Sequence, residues 1–120
     1  MASTPDLIKT AVERFQAEVP ALQNLKLVFG LELKARHDIQ LYRVELPGPK
    51  IKKDLSQDER ILVQIDRPQF NDLAESGTVK SYRKAYETGH IKATGDSNVK
   101  KLIAQVVERQ EERSRLKKAH

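Results

Sequence analysis

The period of the hydrophobic positions changes several times along the chain, and each change marks a predicted element. Apolar residues recur at helical spacing over residues 7–19, and Pro20 interrupts that pattern. Over residues 25–33 every second residue is apolar, which is typical of a strand with one buried face. The polar run at 36–38 predicts a turn, and residues 39–46 predict the returning strand of a hairpin. The first part of the chain therefore predicts a helix followed by two antiparallel strands.

Prolines, glycines and β-branched residues divide the middle of the chain. The Pro47-Gly48-Pro49 run ends the second strand because proline cannot donate to a β ladder. Residues 50–53 predict a short edge strand blunted by its lysines, and residues 61–65 a strand with three β-branched side chains on one face. Two short helices should follow, the first ending at Gly77 and the second at Gly89.

The last part of the chain predicts a short strand over residues 91–94 and then a long helix. Asp96 and Ser97 are both suitable N-caps for this helix, and its first half is apolar at helical spacing. Its second half is charged, so we expect a solvated C-terminal extension over residues 108–120 after a domain that covers residues 1–107. The order of elements predicts an α+β fold with a mostly antiparallel sheet covered on one face by helices.

Composition and charge set outer limits on function. The length of 120 residues suits one domain, and a net charge of +5 favours anionic partners. The sequence contains no cysteine, which excludes disulfides and thiolate metal sites and suits a cytoplasmic protein. No apolar run is long enough to predict a transmembrane helix.

Residues with catalytic or metal-binding potential are scattered. His37, His90 and His120 are predicted in a turn, at the start of a strand and at the terminus, so no two share a helix face as metal ligands would. The carboxylates within residues 66–75 lie near a helix start, where they complement the helix dipole. No serine elbow, phosphate loop or dinucleotide motif occurs. We therefore expect no enzymatic activity, no cofactor and no metal.

The order and spacing of several motifs resemble the sterol carrier protein type-two family. The motifs are Phe70-x-x-Leu73, Gly77 and then Ala85-x-x-x-Gly89-x-Ile91-Lys92-x-x-Gly95-Asp96. Upstream, residues 27–31 and 42–46 are similar to the opening hairpin of that family. The resemblance covers about residues 5–107. It implies a five-stranded sheet, and between sheet and helices an apolar tunnel that holds a fatty acid, acyl-CoA, sterol or phospholipid.

The positions that match the tunnel-lining elements of the family are apolar or aromatic. The resemblance implies that the lipid-binding residues are Phe29, Leu31, Ile65, Phe70, Leu73, Val79, Tyr82, Tyr86, Leu102, Ile103 and Val106. Each could equally be a plain core residue, since apolar stripes at these spacings also exist without a pocket. The family often closes its tunnel with an apolar C-terminal segment, whereas this chain ends in a charged one.

A group of basic residues offers a second functional surface, which we call the basic group: Lys80, Arg83, Lys84, Lys100 and Lys101. A lipid carrier could use it to dock on anionic membranes. It could also bind nucleic acid, but Tyr82 and Tyr86 fit the buried stripe of their helix and so would not be stacking platforms. The charged C-terminal helix could bind another protein or pair two copies. We rank a lipid carrier first, a protein-interaction or regulatory module second and a nucleic-acid binder third.

Overall fold

Residues 3–118, which the computed structural model describes apart from the side chains of Ser76 and of residues 114–118, form four α-helices and five strands. In chain order these are α1 (Thr4–Glu18), a 3-10 helix (Pro20–Asn24), β1 (Leu27–Lys34), β2 (Ile39–Leu46), β3 (Lys50–Lys53), β4 (Ile61–Asp66), α2 (Arg67–Ser76), α3 (Val79–Glu87), β5 (Ile91–Gly95) and α4 (Ser97–Lys118). The predicted α+β class and the long C-terminal helix are both confirmed.

Side-chain caps define where three of the helices begin. Ser3 Oγ accepts a hydrogen bond from the Asp6 amide at 3.4 Å, and Thr78 Oγ1 accepts one from the Ser81 amide at 3.3 Å. At the start of α4, Asp96 Oδ1 accepts from two backbone amides, the nearer at 2.9 Å. Of the two caps expected for this helix, Asp96 is therefore the one that satisfies its first amide groups.

The sheet has the strand order β3-β2-β1-β4-β5. β1 pairs antiparallel with β2 and parallel with β4, while the β2–β3 and β4–β5 pairs are antiparallel. In this register Leu31 lies between Tyr42 of β2 and Val63 of β4. Alternation along each strand turns these three side chains to the same face, which is the face that the helices cover. The mostly antiparallel sheet is confirmed, with one parallel pair at its centre.

The core lies between this face and the helices and has two parts. The larger part contains the inward residues of the sheet with the buried faces of α1 and α2. A smaller cluster forms where Val19, Leu22, Val79 and Val107 meet. Because these residues come from the end of α1, the 3-10 helix, α3 and α4, the smaller cluster fixes α4 against the end of the domain.

The opposite face of the sheet carries a cluster of charged side chains. Arg43 points to this side and forms an ion pair of 2.6 Å with Asp58 and contacts of 3.5 Å with Glu45 and 3.8 Å with Glu59. The hydrogen bonds from the Arg43 guanidinium lower the pKa of Asp58 to about 2. The loop before β4 is thereby tied to the middle of β2.

The predicted C-terminal extension continues α4 without a break. Residues 108–118 are helical, and residues 119–120 lie outside the described part of the chain. Glu111 forms an ion pair with Arg83 of α3, so the first turn of the extension contacts the domain. The division at residue 107 stays a prediction.

Candidate functional site

A cavity of about 220 Å³, called here the inner cavity, lies between the helix-covered face of the sheet and the helices. Side chains from the sheet, from all four helices and from the 3-10 helix surround it. They are Ile8, Ala11, Val12, Phe15, Gln16, Leu22, Leu25, Leu27, Phe29, Leu31, Leu46, Ile61, Val63, Ile65, Phe70, Tyr82, Ile91 and Ile103. While this space is empty, the side chains around it lack packing contacts on one side.

The two polar side chains in this wall direct their polar atoms to backbone carbonyls. Gln16, which is 8% exposed, donates from Nε2 to the Pro47 carbonyl at 2.8 Å. The Tyr82 hydroxyl donates to the Leu73 carbonyl at 3.2 Å, and burial raises the pKa of this phenol to about 12. Because both groups already have partners, the inner cavity presents an apolar wall, which suits a hydrocarbon chain better than a polar ligand.

Polar contacts hold the helices in place around the inner cavity. Arg14 of α1 donates to the Ala74 carbonyl at the end of α2 at 3.0 Å. The Glu18 carboxylate accepts from the Val79 amide, the first of α3, at 2.7 Å. These bonds join the C-terminal half of α1 to α2 and α3. They fix three of the four helices around the inner cavity relative to one another.

A second space of about 410 Å³, the outer chamber, adjoins the inner cavity between α3, α4 and the β4–β5 edge of the sheet. The two spaces share Phe15, Ile61, Val63, Tyr82, Ile91 and Ile103. Within this shared wall the rings of Phe15 and Tyr82 meet edge to face, with centroids 5.4 Å apart. An apolar surface therefore continues from the interior towards the gap between α3 and α4.

The outer chamber ends in a charged rim. Arg83 is its centre: its guanidinium contacts Glu111 at 2.6 Å, Glu87 at 3.2 Å and Glu108 at 4.0 Å. The Glu111 charge, followed by the hydrogen bond to Glu87, raises the pKa of Arg83 above its ordinary value. Lys100 lies on the same rim and directs Nζ to the Ala93 carbonyl at 3.4 Å.

A third space, the β-end groove of about 600 Å³, lies where β1 starts, β2 ends and α4 begins. It meets the inner cavity at Leu25, Leu27 and Leu46. Two of its charged residues form short ion pairs: Asp58 with Arg43, and Arg60 with Asp96 at 2.5 Å. The inner cavity thus adjoins one space on each side of α4.

The predicted lipid-binding residues divide among these spaces. Six of them line the inner cavity: Phe29, Leu31, Ile65, Phe70, Tyr82 and Ile103. Tyr82 and Ile103 also line the outer chamber, where Val79 and Tyr86 join them. Leu102 lines the β-end groove, Leu73 packs in the larger core, and Val106 packs against the smaller cluster.

The expected burial of Tyr86 is wrong, since its side chain is 52% exposed. Tyr86 lies on the same side of α3 as Val79 and Tyr82, two turns beyond Val79 and one turn beyond Tyr82. The last turn of α3 overlies the outer chamber rather than packed side chains, so the ring is left partly in solvent. The expectation that both Tyr82 and Tyr86 are buried counted against stacking with nucleic-acid bases. For Tyr86 that argument does not hold.

Sequence reasoning missed the contribution of α1. Ile8, Ala11, Val12 and Phe15 form one wall of the inner cavity. Their spacing predicted an inward helix face, but nothing in that spacing distinguishes a face against packed side chains from a face against a space. The signal for burial was present in the sequence, and the signal for a cavity was not.

The basic group does not form one uniform surface. Lys80, Lys84 and Lys101 are exposed, whereas Lys100 is half-buried at the rim. Arg83 is occupied by its three glutamates. In residues 3–118 no group of three or more histidine or acidic residues is arranged to hold a metal ion. Over the same residues, every helix is too short or too polar to cross a bilayer.

Comparison with known proteins rests on structure. No protein-family model matches the sequence, and no curated protein matches it significantly. The fold is similar to the solution structure of palmitated sterol carrier protein 2 like 2 from Aedes aegypti, with a TM-score of 0.59, 20% identity, and coverage of 83% of this chain and 93% of that one.

Two further likenesses mark the range of proteins that share the fold. The solution structure of sterol carrier protein domain 2 of Helicoverpa armigera gives a TM-score of 0.60 at 12% identity and covers 92% of this chain and 94% of that one. A structure of the sec-alkyl sulfatase PisA1 gives 0.53 at 14% identity, covering 81% of this chain but 15% of that chain. The predicted resemblance is confirmed at the level of the fold. This chain has the fold of the sterol carrier protein 2 domains.

Proposed function

We propose that this chain is a non-catalytic lipid-binding and transfer protein that holds one acyl or sterol moiety in the inner cavity. The observation that carries the proposal is the inner cavity itself: an apolar wall, with the polar atoms of Gln16 and Tyr82 bonded away from it. The palmitated form of the Aedes aegypti protein with this fold supports the same reading.

The energetics favour a chain-shaped ligand. A buried methylene contributes about 0.8 kcal/mol, so roughly fourteen of them contribute about 11 kcal/mol. Association costs at least about 4 kcal/mol, which leaves roughly 7 kcal/mol, or a Kd of about 10 µM. A chain of that length exceeds the inner cavity of 220 Å³ and would continue along the shared apolar wall into the outer chamber. No directional contact is needed for binding of this strength.

The direct test is to identify what the purified protein retains and what it binds. Native mass spectrometry of the protein as isolated should show a co-purifying lipid. After delipidation, a fluorescent long-chain analogue should bind with a Kd of about 10 µM or tighter. Retention of no lipid, together with no binding of acyl or sterol analogues in this range, would exclude the carrier function.

We further propose that the exposed lysines of α3 dock the carrier on anionic membrane. Lys80 and Lys84 are one turn apart on the exposed side of this helix, and each basic residue near such a surface contributes about 1 kcal/mol. In liposome co-sedimentation, the double change Lys80→Glu and Lys84→Glu should abolish binding to anionic vesicles.

The matched control makes the same change of net charge elsewhere. Lys9 of α1 and Lys53 of β3 are also exposed, and their replacement by glutamate alters the net charge by the same amount. Equal loss of sedimentation in both double variants would show that overall charge, rather than α3, attracts the protein to vesicles. Salt-sensitive binding of RNA without vesicle binding would instead support the nucleic-acid alternative.

A further inference from the structure

We infer that the outer chamber selects lipids with an uncharged polar end, such as long-chain alcohols and sterols, over lipids that end in a carboxylate or phosphate. This inference rests on the proposed lipid-carrier function and concerns the class of lipid that the same site accepts. It follows from the charges on the rim, where the polar end of a chain lying along the shared apolar wall would emerge.

The guanidinium on the rim is already paired with carboxylates. The Arg83 guanidinium contacts Glu111 through Nη1 at 2.6 Å, Glu87 through Nε at 3.2 Å and Glu108 through Nη2 at 4.0 Å. All three of its nitrogens therefore face a carboxylate. Lys100 directs its ammonium group to the backbone oxygen of Ala93 at 3.4 Å.

The rim consequently has no excess of positive charge. Arg83 and Lys100 stand against Glu87 and Glu108 in the lining of the outer chamber, and the Arg83 guanidinium is also paired with Glu111. A carboxylate entering this rim would either add a like charge or displace a glutamate from Arg83 and leave that glutamate unpaired. Both outcomes oppose binding of the charged form. A hydroxyl adds no charge and can donate to a glutamate oxygen, so it meets no such opposition.

The β-end groove offers an anionic head group no better alternative. Lys26 and Arg60 line it together with Glu45 and Asp58, so the positive and negative charges in its wall are equal in number. Arg60 is held by Asp96 at 2.5 Å. A lipid lying in the opposite direction would therefore also find no excess of positive charge at its polar end.

The test compares two ligands with the same hydrocarbon chain. Hexadecanol and palmitate are titrated at neutral pH into the delipidated protein, each displacing the same pyrene-labelled long-chain alcohol. We expect hexadecanol to bind at least tenfold more tightly than palmitate. Glu108→Gln combined with Glu111→Gln should strengthen palmitate binding at least fivefold and change hexadecanol binding by less than twofold. Glu112→Gln, a change at an exposed glutamate of the same helix, should alter neither affinity.

The results separate this inference from the function on which it rests. If palmitate binds as tightly as hexadecanol or tighter, and Arg83→Gln weakens palmitate alone, then Arg83 recognises anions and the inference is overturned while lipid carriage stands. If the two glutamine changes leave palmitate unaffected, the rim does not select by charge. If neither ligand displaces the probe and the probe itself does not bind, the carrier function fails.

Discussion

Replacing Ala11 by leucine should fill part of the inner cavity from α1. Ala11 is 6% exposed and its side chain borders the inner cavity, so the three added carbons enter space that no side chain occupies. Filling a cavity commonly raises the free energy of unfolding by about 0.5–2 kcal/mol, and we expect Ala11→Leu to fall in that range. A ligand loses room for about three methylenes, or roughly 2.4 kcal/mol, which should weaken its Kd about 50-fold.

The same substitution at Ala85 provides the control. Ala85 is 5% exposed in α3 and packs in the core without bordering the inner cavity. Ala85→Leu should overpack its site and lower the free energy of unfolding by about 1–3 kcal/mol, while ligand affinity stays within about threefold. Urea unfolding followed by circular dichroism measures the first quantity, and titration with a fluorescent acyl analogue the second. If Ala11→Leu also lowers stability and leaves affinity unchanged, the inner cavity is not the lipid site.

Four further substitutions test other features of the fold. Because the folded-state pKa of Asp58 is about 2, the stability that its ion pair contributes is complete above about pH 4 and is lost as pH falls towards 2. Asp58→Asn should thus lower the urea midpoint at pH 7 but not near pH 2. The pKa of Tyr82 is raised to about 12, so the stability linked to its neutral phenol is complete below about pH 10 and is lost as pH rises through 12. Tyr82→Phe should remove this alkaline loss, and the wild-type tyrosinate absorbance should include one late step. Gly95→Ala should lower the free energy of unfolding by about 3 kcal/mol, because φ is +125° and the added carbon would lie 2.5 Å from a backbone oxygen. Gly89→Ala should lower it by about 1 kcal/mol, because φ is +85° but the space around the residue is open.

The elements of this fold could be predicted from the sequence because their signals are local. Alternation predicted β1, and the proline and glycine runs placed the ends of β2 and α3. The parallel pairing of β1 with β4 was not predicted, since no residue in either strand specifies a partner that lies so far away along the chain. Strand order depends on which faces pack together once all the elements exist.

The candidate site was predictable in part for a related reason. Residues such as Phe29 and Phe70 were expected inside and do border the inner cavity. The opposite wall, which includes Ala11, was not assigned, because an apolar helix face has the same pattern whether it meets atoms or a space. Arg83 was expected to be available for membrane docking, yet it is paired with glutamates that lie 25 and 28 positions later in the sequence. Such contacts depend on the path of α4 rather than on spacing.

The central parallel pair affects what happens while the chain is being synthesised. β2 and β3 emerge directly after β1 and can form a meander in which β2 pairs with β1 and β3 with β2, but the other side of β1 waits for β4. Until residues 61–66 leave the ribosome, β1 presents unpaired backbone groups beside the apolar side chains of Leu31 and Leu33. Exposed apolar edges of this kind pair readily with other chains. Nascent chains that do not yet include β4 should therefore aggregate or require a chaperone, whereas chains that include β4 should not.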